Sequence, residues 1–293
     1  MKKDKKIVII GAGPSGCAVA LQLKRYNISP LIFEKEGICE LLKSAYKIEN
    51  YPGFPEGISG EGLARNIERQ IRKEKIKVIY EEVIKIYYKD GIFSIETKKR
   101  RVKSDILVIA TGTEPKKIPL LRDKNVFYEI KPIFKKDLKK ILIIGAGDIA
   151  FDYALNLSSK GKFVTILNRR GNAKCNMYLY KKVMNDERIN YRKNIQVIDV
   201  KKENKMLKII CKTEKGNIVE YADAILVSIG RLPSLNFIDK NFKGRMKELI
   251  KEKKLFLAGD VKNGIKRQIG IAVGDGIKTG MEIYENHFKI WEG

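Results

Sequence analysis

The chain has 293 residues, 44% hydrophobic and 32% charged, the composition expected of a folded, soluble protein and a length that suits about two domains. Its 60 Lys and Arg against 35 Asp and Glu give a formal charge of +25, spread along the whole chain. That excess reads as solvated surface or as a field for an acidic macromolecular partner; nucleic acid has charge behind it but no recognisable reading motif. The longest apolar runs are strand-sized, short of the about 20 residues of a membrane span, and Met1 to Lys6 leads straight into the first strand, so no signal region and a cytoplasmic location are expected.

From Lys5 to Lys35 the pattern predicts strand, glycine-rich turn, helix and strand. Ile7 to Ile10 is an apolar run, and Gly11-Ala12-Gly13-Pro14-Ser15-Gly16 follows without a gap. The first glycine permits the tight turn, the second lets backbone approach a pyrophosphate, and the third lets the helix pack on the strand. The open helix N-terminus then offers free N–H groups to phosphates. Leu31-Ile32-Phe33 is the next strand and ends on Glu34, 23 positions after Gly11, an acid placed for a ribose.

Beyond it, Ile48 to Gly57 is dense in Pro and Gly and can wall a ligand site. Leu63, Ile67 and Ile71 recur at helical spacing within Gly60 to Lys75. Val78 to Ile95 alternates around Asp90-Gly91, predicting a hairpin, and Ile106 to Ile109 with Ala110-Thr111-Gly112 predicts a buried strand and small-residue turn.

The opening pattern then returns. Ile141 to Ile144 is a strand, Gly145-Ala146-Gly147-Asp148-Ile149-Ala150 a second glycine-rich turn, Phe151 to Ser159 a helix, and Phe163 to Leu167 a strand ending at Asn168-Arg169-Arg170, again 23 positions after the first glycine. An acid at this strand end repels a 2′-phosphate, whereas paired arginines hydrogen-bond one, so the first unit suits FAD or NAD and the second NADPH. Further short strands end in Ala224 to Arg231, and Leu255 to Asp260 is a last buried strand with an acid at its end. Arg267-Gln268-Ile269 and a glycine-interrupted helix to Trp291 follow.

Cys17, Cys39, Cys175 and Cys211 include no C-x-x-C pair, so neither a thioredoxin-like redox pair nor a zinc knuckle can be read, and the single histidine, His287, lies in a C-terminal helical stretch, which argues against a catalytic triad or a His-based metal site.

In their combination and order these motifs resemble the low-molecular-weight thioredoxin reductases. The resemblance runs from about residue 5 to residue 285 and rests on Gly11 to Gly16, Glu49 to Pro55, Ala110 to Gly112, Gly145 to Ala150, Arg169-Arg170, Gly230-Arg231, Ala258 to Asp260 and Arg267-Gln268. It implies an α/β protein of two Rossmann-like three-layer ββα dinucleotide-binding domains, the second inserted into the first. FAD would be bound by residues 1–114 and 238–293, NADPH by residues 115–237. By carry-over, FAD would be held by Gly11, Gly13, Pro14, Ser15, Gly16, Glu34, Lys35, Leu42, Asn50, Val83, Ala110, Thr111, Gly112, Gly259, Asp260, Arg267, Gln268 and Ile269. NADPH would be held by Gly145, Gly147, Asp148, Ile149, Asn168, Arg169, Arg170, Lys174 and Gly230.

The family's redox dithiol precedes the second glycine-rich strand; here Glu129 and Pro132 stand where its cysteines fall. The resemblance therefore implies a homodimeric FAD-dependent oxidoreductase that passes electrons from NADPH to an external acceptor of ferredoxin, flavodoxin or quinone type rather than through a dithiol. Two alternatives stand beside it: a reductase of small disulfides using Cys39, and a non-catalytic flavin- or nucleotide-binding regulatory protein. Phe288 and Trp291 could cap a ring, although packing of the last helix is the stronger reading.

Overall fold

A computed structural model describes residues 5–119, 121 and 123–289; the expected role of Trp291 lies outside them. The chain divides into two compact units, one made of Met1–Lys43, Ile48–Glu114 and Pro233–Gly293, the other of Ser44–Lys47 and Pro115–Leu232.

The first unit opens with β1 (Ile7–Ile10), α1 (Pro14–Arg25) and β2 (Leu31–Glu34). All four residues of β1 are buried, as an uninterrupted apolar run in a parallel sheet requires. Next come α2 (Gly60–Lys73) and β3 (Lys77–Tyr80), and then the antiparallel strands β4 (Val83–Lys89), β5 (Ile92–Thr97) and β6 (Arg101–Ser104). Asp90 (φ 51°) and Gly91 (φ 79°) are both left-handed, the geometry of the tightest hairpin turns. β7 (Ile106–Ile109) returns to the core, and β8 (Thr113–Pro115) leads out.

The second unit repeats the design. It comprises β9 (Val126–Phe127), α3 (Lys131–Phe134), β10 (Lys140–Ile144), α4 (Asp148–Ser158), β11 (Phe163–Asn168), α5 (Met177–Met184) and β12 (Ile189–Lys193). An antiparallel sheet of β13 (Gln196–Glu203), β14 (Met206–Thr213) and β15 (Gly216–Ala222) follows, then β16 (Ala224–Val227). β17 (Arg231–Pro233) leads back to α6 (Lys240–Lys251), β18 (Leu255–Leu257) and α7 (Ile269–His287).

Each unit thus has a five-stranded parallel sheet, β18-β7-β1-β2-β3 in the first and β12-β11-β10-β16-β9 in the second, with a three-stranded antiparallel sheet and helices completing three layers. The return to the first unit falls at Leu232/Pro233, earlier than the expected 237/238, because Leu235, Phe237 and Ile238 pack on the first unit's core. Ser44–Lys47 belongs to the second unit through the buried bond from Asn156 Nδ2 to the Ser44 carbonyl, 3.0 Å.

Helix α7 lies against α1 through Gly276 and Gly280. A Cβ at Gly276 would stand 2.3 Å from the Ser15 carbonyl oxygen, and one at Gly280 2.8 Å from Gln22 Cβ, so only glycine lets the helices approach this closely.

Candidate dinucleotide sites

In the first unit the parallel strands β1, β2, β7 and β18 end together at Ile10, Glu34, Ile109 and Leu257, which brings their following loops to one edge of the sheet. Such a carboxyl edge is where open α/β sheets bind ligands. Gly11 has φ +102°, and a Cβ there would stand 2.4 Å from the Ala110 carbonyl oxygen; a Cβ at Gly16 would stand 2.0 Å from the Gly11 carbonyl oxygen. Gly13, in contrast, faces open space. It caps α1, which begins at Pro14, so the free N–H groups of the first helical turn border that space. Ser15 Oγ is buried there and has no hydrogen-bond partner among the described residues.

Glu34 is fixed by two backbone donors, Ala12 N–H to Oε2 at 2.7 Å and Glu36 N–H to Oε1 at 3.0 Å. Each oxygen keeps a lone pair for a ribose hydroxyl. Thr111 Oγ1 donates to the Ser234 carbonyl at 2.6 Å and holds the turn after β7, while Gly112 is left-handed at φ +62°. Gly259 (φ +78°) opens the short helical turn carrying Asp260, and its virtual Cβ would meet Ser15 Cβ at 2.7 Å, which places that turn against the start of α1. Gln268 caps α7, and its Oε1 accepts from Asn50 Nδ2 at 3.0 Å, joining the Pro/Gly-rich loop to the segment Arg267–Ile269.

Other first-unit candidates have different surroundings. Lys35 is exposed and pairs with Glu36 at 3.9 Å. Leu42 and Val83 are buried, the latter in the core with Ile10 and Phe33. Cys39 is 1% exposed, which opposes attack on an external disulfide in this conformation. Reasoning from sequence missed Asp275, which receives Gly259 N–H at 3.3 Å and Asn263 Nδ2 at 2.6 Å and pairs with Lys262 at 3.4 Å, so it holds the Asp260 turn in place.

The second unit contains a cavity of about 670 Å³ at the matching sheet edge. Gly145 (φ +122°) approaches the Ser228 carbonyl, where a Cβ would stand at 2.1 Å, and Gly147 again faces open space. Asn168 is buried. Its Nδ2 donates to the Asn172 carbonyl (3.0 Å) and Tyr191 Oη (2.9 Å), and its Oδ1 accepts from Arg170 N–H (3.1 Å), which locks the strand end. Arg169, Arg170 and Lys174 line the cavity with Gly230, and so does Lys116, which nothing in the sequence singled out. Its backbone N–H bonds the Gly230 carbonyl at 2.9 Å. Asp148 and Ile149 do not line it; Asp148 Oδ1 instead accepts from Asn176 N–H (2.7 Å) and Nδ2 (3.1 Å).

Glu129 links two buried partners in this unit. Arg231 Nη1 donates to its Oε1 at 2.7 Å and Tyr153 Oη to its Oε2 at 3.0 Å. Burial first, and then the Glu129 carboxylate, pushes the Tyr153 phenol well above its ordinary range, so it stays a hydrogen-bond donor. Pro132 lies in the first turn of α3. His287 accounts for itself structurally, meeting Lys5 Nζ at 2.9 Å and the Lys253 carbonyl at 2.6 Å.

Two glycine-rich turns in successive parallel-sheet units invite comparison with known dinucleotide proteins. The family model described as pyridine nucleotide-disulphide oxidoreductase matches residues 5–276. The chain belongs to that family. It is 27% identical to the thioredoxin reductase of Chlamydia pneumoniae over 305 aligned positions, covering 94% of this chain and 97% of that one. The crystal structure of Lactococcus lactis thioredoxin reductase (FR conformation) superposes with a TM-score of 0.87 at 25% identity, covering 98% of this chain and all of the other. A bacillithiol disulfide reductase from Staphylococcus aureus shares the fold, with a TM-score of 0.75 at 19% identity over 97% of this chain and 99% of that one. The protein is thus a thioredoxin-reductase-like, NAD(P)H-dependent flavoprotein oxidoreductase, with FAD and NADPH as its cofactors. The open cradle over Gly13 and the unsatisfied Ser15 hydroxyl fit the pyrophosphate of the first, and the cationic cavity fits the second.

Proposed function

We propose that this oxidoreductase draws electrons from NADPH and delivers them to an external acceptor without an internal dithiol, the acceptor being a ferredoxin- or flavodoxin-type carrier or a quinone. The supporting observation is the ion pair between Arg231 and Glu129, which occupies the position where the family resemblance puts the first redox cysteine. No two of the four cysteines stand as C-x-x-C. When bound, FAD supplies the two-electron chemistry.

The chain's own residues position and charge-match the nucleotides. Gly11 and Gly16 shape the turn, Gly13 leaves room for phosphate, Ser15 offers a hydroxyl, and Glu34 presents its carboxylate to a ribose. Asn50, held by Gln268, would meet the flavin ring of bound FAD, and Asp260 would hold its ribityl chain. Arg169, Arg170 and Lys174 attract a 2′-phosphate, and the flanking Lys116 adds a fourth positive charge. The net charge of +25 favours an acidic carrier among the acceptors.

The test is anaerobic. Protein reduced with NADPH is offered ferredoxin, flavodoxin, a water-soluble quinone and thioredoxin in turn; reoxidation by one of the first three supports the reading, and rapid reoxidation by thioredoxin alone rejects it.

A further inference from the structure

Cys17 and Cys39 converge on one backbone oxygen beneath the first glycine-rich turn. Cys17 Sγ donates to the Ala12 carbonyl at 3.3 Å, and Cys39 N–H donates to that same oxygen at 2.9 Å. Both residues are 1% exposed. The Cys39 side chain is the largest influence on the Cys17 thiol, ahead of burial, and the two together push that thiol well above its ordinary value. Cys39 also has φ +52°, a conformation that a residue with a side chain seldom adopts.

We propose that Cys17 and Cys39 are a dithiol that a low-molecular-weight disulfide closes into a Cys17–Cys39 disulfide, and that FAD on the Gly11–Gly16 turn protects the pair. The second half rests on the assignment of that turn to FAD. The pair lies between α1 and the segment after β2, so a bond between the two sulfurs ties that segment to the base of the turn.

The reaction balances with the oxidant named. The Cys39 thiolate attacks one sulfur of RSSR, forms a mixed disulfide and releases one thiolate. Cys17 gives up its proton and attacks Cys39 Sγ, which expels the second thiolate. Two electrons pass from the cysteines to RSSR, and their two protons end on the two RSH released. At neutral pH the raised Cys17 thiol and the burial of both sulfurs hold the closed conformation in the dithiol state, so oxidation needs the segment around Cys39 to lift. A dinucleotide bound in the open space at Gly13 and Ser15 would cover that route.

The test uses the wild-type chain, as FAD-loaded and FAD-stripped protein, treated with oxidised glutathione and then alkylated, digested and mapped by mass spectrometry. A Cys17–Cys39 cross-linked peptide is expected in the stripped protein, reversed by dithiothreitol, with formation slowed at least tenfold by FAD. No such peptide in stripped protein overturns the pair, and equal rates with and without FAD overturn the protection. Protein that cannot be loaded with FAD rejects the FAD assignment instead, while the presence or absence of the peptide still decides the dithiol.

Discussion

Arg231 Nη1 lies 2.7 Å from Glu129 Oε1, and the arginine side chain is only 8% exposed. A guanidinium taken that far out of water depends on its partner, and removing one member of such a pair costs more than the pair itself contributes. Glu129→Gln keeps the shape and the Tyr153 contact but removes the charge. We expect it to destabilise the protein by about 2 kcal/mol in urea titrations monitored on the second unit, below the about 3–5 kcal/mol of fully buried pairs because Glu129 is itself partly exposed.

Glycines that are alike in sequence divide by their surroundings. Gly13→Ala and Gly147→Ala place a methyl in open space on extended backbone, so both variants should keep the wild-type melting temperature of the nucleotide-free protein. The first should lose FAD on gel filtration, and the second should show a raised KM for NADPH. Gly16→Ala and Gly276→Ala put a Cβ 2.0 and 2.3 Å from backbone oxygens, and both should fold poorly whatever nucleotide is present.

Arg169 and Arg170 set nucleotide choice in this account. Changing both to Ala should raise KM for NADPH at least about tenfold relative to KM for NADH, since a charge-assisted contact is worth about 1.5–3 kcal/mol and these side chains are solvent-exposed. Equal changes in the two constants would remove the 2′-phosphate from the assignment.

Burial raises the Asp152 carboxyl to about 6, against the opposing effect of the Tyr46 N–H that it accepts. The unfolded chain ionises this group near the ordinary value of about 3.9, so between about pH 4 and pH 6 the native state binds more protons than the unfolded one. The stability that Asp152 contributes is therefore complete below about pH 4 and lost as pH rises through 6. Asp152→Asn should be near neutral at pH 4 and more stable than wild type by about 1–3 kcal/mol at pH 7, measured as paired urea midpoints.

Much of this was legible in the sequence because the physics was local. Gly11 to Gly16 and Gly145 to Ala150 announce themselves by spacing, and the runs Ile7–Ile10 and Ile106–Ile109 are apolar because both faces of a parallel strand are covered. Asp275 and Lys116 were not legible, since their parts depend on which loop a distant segment meets. Gly276 and Gly280 carried a signal that went unused: small residues four apart on α7 mark a helix face without room for side chains. The boundary at Leu232/Pro233 was missed because nothing local tells Leu235 and Phe237 which core they join.

The central claim is that electrons leave this protein without a dithiol, and steady-state NADPH oxidation under anaerobic conditions tests it most directly. Wild-type protein should oxidise NADPH with ferredoxin, flavodoxin or a quinone and show no thioredoxin-dependent rate above background, and with ferredoxin the rate should fall steeply between low salt and 0.5 M as the attraction of a +25 chain is screened. Efficient thioredoxin reduction by the wild-type chain, with no turnover on the other acceptors, would contradict the account.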